Sequence, residues 1–101
     1  MELTITVCAG VRSHVLKISA ADTGWVNALS DHNAAAARES LLGKPGELGF
    51  WRVVPAGPVL SALDDLSTTS GISSALSQNL AKLRRFLKST KPTSDIWIGV
   101  G

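Results

Sequence analysis

Both ends of the chain alternate apolar and other residues with a period of two. Near the start Leu3, Ile5 and Val7 alternate with Thr4, Thr6 and Cys8; at the close Ile96, Ile98 and Val100 alternate with Trp97 and Gly99. Successive side chains of a strand point to opposite faces, so each segment reads as a strand with one buried side. The last strand must find room in the same sheet as the first, and with helical segments between them the economical solution is an α+β protein.

The intervening residues supply the rest of the sheet and its cover. Ala9-Gly10 offers a turn, and His14 to Ile18 then reads as a second strand in an antiparallel hairpin with the first, with His14, Leu16 and Ile18 sharing one face. Ser19-Ala20-Ala21-Asp22 is a capping box, and Trp25, Val26 and Leu29 follow at helical spacing. Asp31 caps a further turn of helix, or the first helix runs on to Leu42. Gly43 ends it, ahead of the loop Lys44-Pro45-Gly46. Phe50 to Val54 is a third strand, stopped by Pro55-Ala56-Gly57-Pro58, and Pro58 suits a first helical position ahead of Val59, Leu60 and Leu63. Ile72, Leu76, Leu80, Leu83 and Leu87 recur at spacings of four, four, three and four, predicting a helix from Ile72 to Ser89. Trp25 and Trp51 are assigned to the core.

The expected architecture is a four-stranded mixed β-sheet packed with helices, in one domain covering residues 1–101, with a helical insertion over about 58–90 before the last strand. The last strand is expected beside the first, running in the same direction. At 45 % hydrophobic and 18 % charged, the composition excludes a disordered chain. Cys8 is the one cysteine, which excludes an internal disulfide and a four-thiolate metal site. There is no apolar run of about 18 residues for membrane insertion, and the first residues lack the basic start of a signal peptide. A cytoplasmic protein is the expectation.

Several stretches resemble the β-grasp, or ubiquitin-like, fold. Met1 opens directly into a strand, Gly10 sits in the hairpin turn, and Asp22-Thr23 stands where such chains begin their helix. Val53-Val54-Pro55-Ala56-Gly57 resembles the third strand and its turn, and Leu66-Ser67 to Gly71-Ile72 is similar to the Leu-Ser…Gly-Ile stretch before the last strand. Trp51-Arg52-Val53-Val54 brings the pattern nearest to the YukD-type ubiquitin-like proteins of type VII secretion. The resemblance covers about seventy residues, and it implies the co-directional pairing of first and last strands. It also implies that the sheet face around Val54 is a partner surface. Ubiquitin-like modifiers and sulfur carriers end in Gly-Gly on a flexible tail, whereas this chain ends Ile98-Gly99-Val100-Gly101.

Among polar residues, no catalytic constellation emerges, and a non-enzymatic role without metal or cofactor is expected. Cys8 lacks an evident activating base other than His14 across the hairpin. His14 and His32 have no acidic partner at a useful spacing, and neighbouring Asp64 and Asp65 point about 100° apart on a helix, so with Asp31 they chelate poorly. Charge is concentrated late: beyond residue 76, Lys82, Arg84, Arg85, Lys88 and Lys91 face Asp95 alone, on a chain of net +2. The stripe Lys82, Arg84, Arg85 and Lys88 is a candidate anionic-surface contact, without the interleaved aromatics that base stacking requires. Arg52, Val54 and Trp97 are the candidate partner-binding residues, on the premise that Ile96, Ile98 and Val53 face the first helix. The expected function is a non-catalytic protein-binding module, either a ubiquitin-like accessory component of a bacterial secretion system or a compact bacterial or phage inhibitor. A sulfur-carrier-like substrate of an adenylating enzyme and a small basic nucleic-acid-binding protein are the alternatives.

Overall fold

The computed structural model describes residues 2–43 and 51–101. The proposed loop Lys44-Pro45-Gly46 and Phe50 lie outside the described residues. A hairpin opens the chain, with β1 at Leu3–Ala9 and β2 at Arg12–Ile18. Its two-residue loop places Gly10 at φ 64°, the left-handed region that the first central residue of such a turn requires. The Ser19 half of the capping box forms: the Asp22 backbone N–H donates to Ser19 Oγ at 3.2 Å, opening α1 at Ala20–Asn27. The helix does not run on. Asp31 Oδ2 accepts from the Ala34 N–H at 3.2 Å and starts α2, His32–Leu42, which closes at Gly43.

The second half consists of β3, Trp51–Pro55, then α3, Ala56–Ser67, α4, Ser74–Leu87, and β4, Asp95–Val100. Pro58 falls third in α3 rather than first; its missing N–H still costs nothing, because first-turn donors have no intrahelical partner. Ser73 caps α4 by accepting from the Leu76 N–H, so the helix begins two residues later than Ile72. Arg84 and Arg85 occupy its last turn, where cations suit the helix dipole.

The sheet order is β2-β1-β4-β3, and every neighbouring pair is antiparallel. The last strand does lie beside the first, with Val7 opposite Ile98 and Cys8 opposite Trp97, but in the opposite direction. The expected mixed sheet and co-directional pairing are therefore corrected. The reason lies in the link from β2 to β3. One helix there would carry the chain to the far end of the sheet, giving β3 the direction of β2 and β4 that of β1. The break at Asp31 makes two helices, which return the chain to the end it left, and both later strands are reversed.

All the helical cover lies on one face. Ile5, Val7, Leu16, Ile18, Ile96, Ile98 and Val100 from the strands are sealed against Val26, Leu41, Val59, Leu63 and Leu66. The leucine ladder of α4 joins the same core with Leu76, Leu80, Leu83 and Leu87. Phe86 sits beside that ladder and packs against the hairpin: its ring stacks on His14 at 5.4 Å between centroids, and Arg12 lies 5.0 Å over it. No described helix is long and apolar enough to cross a membrane.

Candidate functional site

The side of the sheet away from the helices is uncovered by any described element, and its composition follows from strand register. Thr6 pairs with Val15 on one side and Gly99 on the other, and Gly99 pairs with Trp51; one row therefore reads Val15, Thr6, Gly99, Trp51. The next row reads Ser13, Cys8, Trp97, Val53. Trp51 and Trp97 are 53 % and 52 % exposed, and Val15 and Val53 are comparably open. Among the described residues, these four are joined as exposed large hydrophobics only by Val11, at the hairpin tip.

The two indoles differ in their support. Trp51 lies across Gly99, where an added Cβ would stand 3.1–3.2 Å from three atoms of the ring, so the bare backbone is what lets the indole lie flat. Trp97 stands beside it on the adjacent strand. Trp51, Trp97 and Cys8 together line an open depression of about 300 Å³. β3 has no described partner on its outer side. Pro55 closes that strand, and its lack of an N–H suits an edge.

Of the three expected partner-binding residues, Trp97 alone is on this face. Val53 pairs with Trp97 and shares its side of the sheet, which turns Arg52 and Val54 to the helix side. Val54 is half-buried against the core, and Arg52 donates from its guanidinium to the Leu41 carbonyl at 2.7 Å, near the end of α2. Trp51, expected in the core, is corrected to the open face. Trp25 does pack on the core. The sequence around β3 has apolar side chains at both parities, so periodicity cannot choose its buried side; one step of register exchanges the two faces. The available signal was the guanidinium, which finds a free helix-end carbonyl when it turns inward.

The basic helix is divided in use. Arg84 Nε donates to Asp64 Oδ1 at 2.6 Å, joining α4 to α3. That hydrogen bond, and secondarily the attraction of the carboxylate, raises the Arg84 guanidinium above its ordinary pKa. Lys82, Arg85 and Lys88 are exposed with no ion pair among the described residues. At the edge of the hairpin Arg12, which periodicity did not single out, donates to Ser89 Oγ at 3.0 Å, just past the end of α4.

Other candidates are held apart. Cys8 is on the open face opposite Ser13, whereas His14 is opposite Val7 on the helix face, so the imidazole and the thiol are on opposite sides of the sheet. Asp31 serves as the α2 cap, His32 is exposed in its first turn, and Asp64 is paired with Arg84. Among the described residues, no three His, Cys, Asp or Glu side chains converge as metal ligands would. Gly101 is a rung of the sheet, exchanging both backbone hydrogen bonds with Thr4 at 2.9 Å. No family model, curated protein or solved structure matches the chain.

Proposed function

We propose that this chain is a non-catalytic protein-binding module whose working surface is the open sheet face, with Trp51, Val53 and Trp97 as its anchors. One observation carries the reading: the half-exposed Trp51, Val53 and Trp97 are neighbours on β3 and β4, with Val15 beyond Thr6 on β2, on a sheet whose other face is sealed. Contiguous apolar surface rimmed by polar residues marks interaction sites, and Trp is among the residue types that dominate binding energy. Lys82, Arg85 and Lys88 give α4 a second, electrostatic contact with an acidic partner surface. The ubiquitin-like form of this module is supported by the short sequence stretches and the order of elements. The strand directions are not those the resemblance implies, so the binding role is drawn from the face itself.

Cys8 provides the test, because the one thiol of the chain lines the same depression as the two indoles. Proteins captured from a lysate by the tagged chain are expected to slow alkylation of Cys8 and to be lost with Trp51→Ser or Trp97→Ser baits. Capture unchanged by both substitutions, with Cys8 alkylated at the free rate, overturns the reading.

A further inference from the structure

The charges of the chain are sorted in space. β2 and the stretch from Ser74 to Lys91 hold seven of the ten Lys and Arg and none of the eight Asp and Glu. The remainder carries three cations against eight acids. The fold sets the two basic stretches side by side: α4 packs along β2, an edge strand of the sheet, where Asn79 donates to the Lys17 carbonyl at 3.2 Å and Phe86 stacks on His14. A chain of net +2 is thus strongly basic along one edge and acidic in the remainder.

Four cations of this edge are free to bind. Arg12 is held over the Phe86 ring at 5.0 Å, and its Nη2 donates to Ser89 Oγ at 3.0 Å. Its fork makes no other hydrogen bond among the described residues, so donors remain for an oxyanion. Lys82, Arg85 and Lys88 follow at three-residue steps along α4 and its C-cap, covering about 9 Å of the helix axis. All four are exposed, and none is in an ion pair among the described residues; Arg84, by contrast, is taken up by Asp64.

We infer that this basic edge binds the sugar-phosphate backbone of a nucleic-acid duplex, with Arg12 as a pre-positioned guanidinium and Lys82, Arg85 and Lys88 as further phosphate contacts. Such a ligand narrows the acidic surface proposed for α4 to phosphodiesters, so the assignment rests on that contact but not on what the open sheet face binds. A protein interface needs an apolar centre, and the large hydrophobics exposed on the described strands lie on the open face instead. A single strand needs exposed rings on which to stack, whereas Phe86 is half-buried and engaged by His14 and Arg12. What the edge offers is charge, which a duplex matches with one phosphate per about 1.7 Å of axis whatever its sequence. The C-terminal end of α4 sets roughly half a negative charge against those phosphates, and the four cations outweigh it.

Fluorescence anisotropy of a labelled DNA duplex of about 20 base pairs, titrated with the full chain, tests the inference, with thermal melts to confirm that each variant folds. Binding at about 1–10 µM is expected in about 50 mM salt, weakening roughly 100-fold by about 200 mM, as release of about four counterions requires. Lys82→Gln, Arg85→Gln and Lys88→Gln together are expected to weaken it at least tenfold and to reduce the salt slope by about three. Arg12→Lys keeps the charge without the fork and is expected to bind several-fold more weakly at an unchanged slope. No binding at about 500 µM chain in low salt, or binding that the triple variant leaves intact, overturns the inference. A single strand bound more tightly than the duplex overturns it too, as does poly-glutamate that competes with the duplex charge for charge and so assigns the edge to an acidic protein. Trp97→Ser is expected to bind the duplex like the parent; if it releases the duplex, the contact is on the open face and the assignment falls. Failure to bind the duplex leaves the Cys8 protection test of the open face standing, and failure of that test leaves duplex binding untouched.

Discussion

On the helix side of the sheet Ile5, Val7, Ile96 and Ile98 have no exposure at all, while on the other side Val15, Val53, Trp51 and Trp97 stand about half open. The two sets occupy the same strands, often as immediate neighbours, and both are apolar and rich in β-branched or aromatic residues. What separates them is a cover. The four described helices dock on the first face and no described element docks on the second, so the same kind of side chain is core on one side and surface on the other. Apolar character alone therefore does not identify a core; a face needs a partner layer, and a face without one is available to another molecule.

The comparison predicts unequal costs for truncation. Ile98→Ala, in the sealed face, is expected to lose about 2–4 kcal/mol in chemical denaturation, because a fully buried branched side chain leaves a cavity among packed neighbours. A loss below about 1 kcal/mol would mean that the helices do not press on β4. Arg52→Ala removes a charge-assisted bond and strands the Leu41 carbonyl at a half-buried site, for about 1.5–2 kcal/mol. If it proves silent in the same measurement, the assignment of β3's inner side fails with it.

Trp97→Ala deletes a larger side chain than Ile98→Ala yet is expected to cost only about 1 kcal/mol, since half the ring is in solvent already. A cost equal to that of Ile98→Ala would place the indole in a core and erase the contrast between faces. The smallest change has the opposite sign. Thr23 on α1 is buried, and its Oγ1 has no hydrogen-bond partner among the described residues. Thr23→Val replaces that hydroxyl with a methyl of similar shape and is expected to raise stability by about 0.5–1 kcal/mol, read as a higher melting temperature.

Much of the fold was legible wherever a local rule decides. The hairpin, the cap at Ser19, the stop at Gly43 and the leucine ladder of α4 each depend on residues within a few positions of one another, whereas the residues around Asp31 fit either a new helix or a continuous one. The candidate site was less legible. Alternation with Ile96 and Ile98 places Trp97, but Arg52, Val53 and Val54 present apolar stems at both parities, so alternation does not select the inward side of β3. Large aromatics are usually buried, which points Trp51 to the core; the bare backbone of Gly99 beneath it shows why this one lies on the surface. The Arg12–Phe86–His14 contact joins residues more than seventy positions apart, beyond the reach of any periodicity.

By itself the sequence determined which segments are strands and helices, because hydrophobic period, caps and turn residues act over a few positions. Tertiary structure alone decided strand direction and the identity of the open face. Direction depended on whether one helix or two linked β2 to β3, and exposure depended on where the helices packed. Both are global quantities, set by which arrangement seals the most apolar surface at once.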